Sequence, residues 1–199
     1  MRILCLHGYH GSARILRSQM RALVEDLQPV AEFVYVDAPS LATGDFGWWH
    51  HNFRGWQRTR EAIVSLFGRE PRFDGIFGFS QGAALASLLV GLRAPDGQVS
   101  ADTPLSFDFA VMVGGFRSDS ADHAHLYASK DNYTLPSLHI IGHADRIVPA
   151  QDSRTLAAQF ASPTVLEHAG GHVIPGTPQI RHGFADFLDQ RTQQRPGHR

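Results

Sequence analysis

The sequence predicts an α/β fold: a mostly parallel central sheet of about six strands with helices on both faces. Three observations predict it. Short runs rich in Val, Ile and Phe alternate with longer segments whose apolar residues fall at helical spacing. The first run, "RILCLHG", is apolar throughout until a glycine stops it, as strands buried on both faces are. At "GIFGFSQGAALASLL" a strand passes at once into a helix, the succession that parallel sheets with right-handed crossovers require.

The elements follow in order. Ile3, Leu4, Cys5 and Leu6 make the first strand. In "ILRSQMRALVEDL", Ile15, Leu16, Met20, Leu23, Val24 and Leu27 share a helical face, and Pro29 follows. "EFVYVDAP" is a second strand ended by Pro39, and "RTREAIVSLF" is a helix closed by Gly68 and Pro71. "GIFGF" and "QGAALASLLVGL" are the third strand and its helix. "FAVMVGGF" and "SLHIIG" are the fourth and fifth strands, "AQDSRTLAAQF" a helix, "TVLEHA" the sixth strand and "IRHGFADFLDQ" a closing helix. Three segments break the alternation: the aromatic "SLATGDFGWWHHNFRGWQ" and the polar "RAPDGQVSADTPLS" and "RSDSADHAHLYASKDNYTLP". Loops of this length are usually lids or disordered.

At 199 residues the chain has room for one sizeable core, and we read residues 1–191 as a single domain with a flexible tail over 192–199. Hydrophobic residues make up 43% and charged residues 19%, which excludes a disordered chain. A formal net charge of -1 offers no field for nucleic acid or an anionic membrane. No apolar run approaches the roughly 18 residues of a membrane span, and "MRILCLHG" is too short for a signal peptide. One cysteine, Cys5, precludes an internal disulfide and fits a reducing, cytoplasmic location. It reads as a packed strand residue.

Gly78-Phe79-Ser80-Gln81-Gly82 matches G-x-S-x-G between a strand and a helix, the context that motif needs. A serine on so sharp a turn sits in strained backbone, and side chains two residues either side would collide, so glycines stand there. Ser80 then projects from the carboxyl edge of the sheet, where ligands bind, at the positive end of a helix dipole. Its hydroxyl needs a base, and in this arrangement acid and histidine follow the serine in that order. Asp145 lies just past the fifth strand in "GHADRIVP", and His172 past the sixth in "HAGGHVIP". His143 precedes the acid within its own loop, and His168 sits in or at the end of a strand; Gly170 and Gly171 would let His172 swing inward. Asp152 begins a helix as a cap or solvent-facing residue, and Asp119 and Asp122 lie in a polar loop. We therefore expect His172 as general base and Asp145 as its orienting acid. The oxyanion donors would be the backbone N–H of Gln81 and that of Tyr9, in "HGYHGS" after the first strand. No Gly-Lys-Ser/Thr follows that loop, which argues against a phosphate loop.

"LCLHGYHGSARILRSQ", "FVYVDAP" with the following "WW", "GFSQGAALASLL", "GHADRIVP" and "HAGGHVIP" together resemble the FSH family of serine hydrolases, a branch of the α/β-hydrolase superfamily. The resemblance spans nearly the whole chain. The carboxylesterase and acyl-protein thioesterase group shares "GFSQGA", but "WW" and "GGH" fit the FSH group better. The resemblance implies an α/β-hydrolase fold, Ser80 as nucleophile, Asp145 and His172 as its partners, and the Tyr9 and Gln81 amides as oxyanion hole. It also implies hydrolysis of esters or thioesters, including release of polyketide-type acyl chains; we expect such release to give an acid or a lactone, according to whether water or the chain's own hydroxyl enters second.

From these residues we expect a serine hydrolase acting without cofactor or metal on a small acyl substrate, free or on a carrier protein. A general short- to medium-chain carboxylesterase is the alternative, and a non-catalytic ligand-binding relative is an alternative of another class. Phe46, Trp48, Trp49 and Phe53 crowd one glycine-punctuated loop, so we expect them to form a mobile apolar wall that holds the acyl group. His50 and His51 point apart in extended chain and lack carboxylate or cysteine company, which argues against a metal.

Overall fold

The computed structural model describes residues 1–27, 29–39, 47–128 and 131–194. Six strands form one sheet: β1 (Arg2–Leu6), β2 (Glu32–Val36), β3 (Gly75–Phe79), β4 (Phe109–Val113), β5 (Ser137–Gly142) and β6 (Pro163–His168). They lie in the order β2-β1-β3-β4-β5-β6, and every neighbouring pair is parallel. The chain starts inside the sheet, steps out to β2, then crosses back to β3 and proceeds outward. The direction of winding reverses between β1 and β3, and ligand crevices form at such reversals.

Among the described residues, five α-helices cover the sheet: α1 (Ala13–Val24), α2 (Trp56–Arg69), α3 (Gln81–Gly91), α4 (Ala150–Ala157) and α5 (Pro178–Gln193). Side chains alternate across the strands and sort into two cores. Leu4, Leu6, Ile76, Ala110 and Met112 face α2, α3 and Leu156 of α4. Ile3, Cys5, Phe77, Phe109, Val111 and Ile140 face α1 and α5. The start of α1 is held by Ser12, whose hydroxyl accepts the Ile15 N–H, and by Asp37, which accepts the Ala13 N–H at 2.7 Å.

Two sequence expectations change. The closing helix runs to Gln193, two residues into the segment read as a tail. The polar segment after β4 is neither a lid nor shapeless where it is described. It makes short 3-10 turns at Ala121–Tyr127 and Asn132–Thr134 that bury Leu126, Tyr127 and Tyr133 against α3. The Tyr133 hydroxyl donates to the Ser87 carbonyl at 2.8 Å, and Tyr127 meets the Ser87 hydroxyl at 2.9 Å. This cover explains why α3 is apolar all round: sheet lies on one side and the loop on the other.

On the opposite face Phe184 is fully buried between Phe33 and Phe77, with ring centroids 6.5 and 6.3 Å away. Phe184→Ala should cost about 3–5 kcal/mol of unfolding free energy in urea titration.

Candidate active site

The site begins with a backbone strain. Ser80 stands between β3 and α3 at φ 57°, ψ −120°, a conformation that costs a non-glycine residue about 1–3 kcal/mol. Its N–H donates to the Val113 carbonyl at 2.9 Å, which ties the turn to β4. The flanking glycines are demanded by close approach. A Cβ on Gly78 would lie 2.2 Å from the Gly82 carbonyl oxygen. A Cβ on Gly82 would lie 2.1 Å from the Leu6 carbonyl oxygen and 2.6 Å from that of His7. So Gly78 makes room within the turn, whereas Gly82 lets α3 start against the end of β1.

The other two side chains arrive from the two strand ends beyond β4. Asp145 follows β5 and His172 follows β6. His172 Nε2 lies 2.8 Å from Ser80 Oγ, and its Nδ1 lies 2.6 Å from Asp145 Oδ2. A carboxylate accepts, so Nδ1 carries the proton and Nε2 is left to accept from the serine hydroxyl. Asp145 is fixed in turn: its Oδ1 accepts the N–H groups of Ile147 at 2.9 Å and Val148 at 2.8 Å. Burial alone would raise the Asp145 pKa; the hydrogen bonds from His172, Val148 and Ile147 outweigh it and hold the carboxyl below its ordinary value. The His172 ring packs on the Phe79 ring, 4.9 Å between centroids.

The competing residues are engaged elsewhere. His143 pairs with Glu167 at the edge of β6, and His168 Nδ1 accepts the Gly170 N–H. Gly170 and Gly171 have no positive φ among the described residues. The steric demand there falls on Gly142, whose Cβ would stand 2.6 and 2.7 Å from the Gly171 and Gly170 carbonyls.

The Tyr9 and Gln81 amides find no acceptor among the described residues. Gln81 is the first residue of α3, where helix N–H groups lack intrahelical partners. The loop carrying Tyr9 is closed by the Gly11 N–H on the Gly8 carbonyl, and a Cβ on Gly8 would lie 3.2 Å from Ser80 Cβ. Both residues border, with Ser80, a cavity of about 620 Å³.

Among the described residues, Trp48, Trp49 and Phe53 do not line that cavity. Trp48 and Trp49 are 1% and 7% exposed and belong to the core under α3; Phe53 packs against that core. Phe46 lies outside the described residues. Glycine punctuation suggested a mobile wall, but the segment is tied by buried hydrogen bonds: Trp48 Nε1–H to the His7 carbonyl at 2.7 Å, and the Thr59 hydroxyl to the Trp48 carbonyl at 2.5 Å. The walls are instead Phe116, Arg117, Asp119, Ile147, Val148, Asp152 and Thr155, which the sequence reading missed or set aside. Their signal was topological. They directly follow β4 and β5, at the sheet edge that carries Ser80.

A strained serine, a tautomer-fixed histidine and a buried carboxylate at the carboxyl edge of a parallel sheet define an α/β-hydrolase-fold serine hydrolase. The comparisons agree. The serine hydrolase family FSH1 matches residues 1–184. The chain is 32% identical to esterase OVCA2 of Xenopus tropicalis, covering 96% of this chain and 93% of that one. It is 31% identical to esterase CG5412 of Drosophila melanogaster, covering 98% and 75%. Among solved structures, acyl-protein thioesterase 2 of Zea mays superposes with a TM-score of 0.71 at 20% identity, over 96% of this chain and 93% of that one, a likeness of fold. The chain belongs to the FSH1 serine hydrolase family.

Because Ser80 is held at positive φ, glycine suits the turn better than alanine. Ser80→Gly should therefore unfold at higher denaturant than Ser80→Ala, by about 1 kcal/mol. Both lack the hydroxyl, so their difference reports the strain set against glycine's larger unfolded-state entropy.

Proposed function

We propose that the protein hydrolyses carboxylic esters or thioesters with an apolar acyl group through an acyl-enzyme on Ser80. The observation that carries this reading is the hydrogen-bonded series Asp145–His172–Ser80, at 2.6 and 2.8 Å, opening on the cavity. His172 Nε2 takes the serine proton as Oγ attacks the acyl carbon. It then passes that proton to the leaving oxygen or sulfur. In the second half, His172 deprotonates an incoming water, or a hydroxyl of the acyl chain itself, as that oxygen attacks the acyl carbon; the bond to Ser80 Oγ breaks, Oγ takes the proton back from His172, and the product is an acid or a lactone. Asp145 keeps the imidazole in the required tautomer and stabilises the imidazolium. The Tyr9 and Gln81 amides stabilise the oxyanion of the tetrahedral intermediate.

The cavity supports a two-sided substrate. Phe116, Ile147 and Val148 offer apolar surface for an acyl chain, while Arg117, Asp119, Asp152 and Thr155 offer a polar wall. Ordinary esters fit this, and relatives carry the name esterase. Release of a polyketide-type chain from a carrier protein is the more particular reading, and it rests on the resemblance. No described helix is long and apolar enough to cross a membrane; a cytoplasmic location remains part of the proposal, on the ground of the free Cys5.

Ser80→Ala should abolish turnover of activated esters, and retained turnover would exclude Ser80 as the nucleophile. His172→Ala and Asp145→Asn should each lower kcat ~10⁴-fold. A series of oxygen esters and thioesters of varied chain length, with products identified by mass, separates the general esterase from the chain-releasing thioesterase. In that series Phe116→Ala should weaken medium-chain esters more than acetate esters; equal losses would remove Phe116 from the acyl site.

A further inference from the structure

Trp48 and Trp49 do not border the cavity, but they are bonded to a residue that does. The Gln81 side chain lies flat against the backbone of the tryptophan pair: Oε1 accepts the Trp48 N–H at 2.9 Å, and Nε2 donates to the Trp49 carbonyl at 2.8 Å. One N–H and one carbonyl partner fix the orientation of the amide. The Trp48 indole N–H then donates to the His7 carbonyl at 2.7 Å. His7 is fully buried, and its Nε2 accepts the Ala38 N–H at 3.0 Å. That leaves the proton on Nδ1, which donates to the Gly8 carbonyl at 2.8 Å. Gly8 precedes Tyr9. An unbroken series of hydrogen bonds thus runs through the core from the residue of one oxyanion donor to the neighbour of the other. Burial holds the His7 pKa down, which favours the neutral ring this series needs.

We infer that Gln81 and Trp48 are positioning residues, a strut that fixes the distance between the Tyr9 and Gln81 amides and so shapes the oxyanion hole. The inference rests on the proposed role of those two amides. Covalent connection alone leaves the spacing loose. Gln81 starts a helix, whereas Tyr9 sits in a loop whose side chain is 43% exposed. Donors aimed at an oxyanion act by being in place beforehand, and losing one costs about 10²–10³-fold in kcat. A donor that is displaced, not lost, should cost part of that.

Gln81→Met keeps the length of the side chain and removes both hydrogen bonds. Its kcat should fall about 10–100-fold with KM changed less than about twofold, because the loss appears only in the transition state. The specific readout is a pair of inhibitors. A trifluoromethyl ketone adds Ser80 and forms an oxyanion, while the matching methyl ketone binds as a ground-state carbonyl. The ratio of their affinities should fall by the same factor as kcat. Trp48→Phe keeps a ring against His7 and removes only the indole bond, so it should move the ratio in the same direction if Gln81→Met fails to fold. An unchanged ratio with a lowered melting temperature would overturn the inference and leave both residues as packing alone. If Ser80→Ala is inactive while Gln81→Met retains full kcat, the strut fails and the serine reading stands; activity in Ser80→Ala would instead bring down that reading.

Discussion

The site is built on one close approach of backbones. The first turn of α3 lies so near the end of β1 that a Cβ on Gly82 would stand 2.1 Å from the Leu6 carbonyl oxygen. No side chain can be accommodated at that distance. The contact fixes where α3 begins, and with it how sharply the chain must turn after β3. The turn in turn forces Ser80 into positive φ. It also sets the Gln81 amide beside the loop that leaves β1, which carries Tyr9. The strain at Ser80 and the direction of its turn are thus consequences of a single packing constraint.

Around that fixed point the parallel sheet does the converging. Strands β3, β4 and β5 are adjacent, with β6 beyond them, and all end at the same edge. Val113 at the end of β4 holds the Ser80 N–H, β5 delivers Asp145 and β6 delivers His172. Residues 92 positions apart in the chain come within 2.8 Å because neighbouring strands in register carry their loops to one rim. The strain at Ser80 is tolerated because both flanks are clamped: β3 is fully buried in the sheet, and α3 is enclosed by sheet and loop.

How much of this was legible depended on whether the signal was local. All six strands, and the turn at Ser80, announce themselves by apolar runs and glycine spacing within a few residues. That Asp145 and His172 come together with Ser80 was legible because chain order and strand ends restrict the choice. The tryptophan segment was not. Four aromatic residues in a glycine-punctuated loop describe a wall over a pocket and a wedge under a helix equally well, and composition carries no information about which side of α3 the chain takes. What decides it is the pairing of Gln81 with the backbone of Trp48 and Trp49, a contact spanning 33 and 32 residues. The same limit hid Arg117, Asp119 and Asp152 in the cavity and the buried tyrosines of the polar loop. Charged and polar stretches read as solvent-facing until a partner surface is known.

The choice of Asp145 among nearby carboxylates follows from the same economy of geometry. Asp119 and Asp152 also border the cavity, but neither is bonded to His172. Asp145 alone of the three accepts a hydrogen bond from His172 Nδ1–H and two more from backbone N–H groups. These bonds satisfy the carboxylate so fully that its pKa falls despite burial. A group whose folded pKa is depressed stabilises the fold above its unfolded pKa, and that contribution is lost as pH falls through the folded value. The bonds that stabilise the folded chain near neutrality are therefore the bonds that orient His172. Acid strong enough to protonate Asp145 would remove an acceptor from the His172 N–H and weaken the loop after β5 in one step. Stability and the orientation of His172 draw on one carboxylate because the 145–148 turn is both a structural corner and the support of the imidazole.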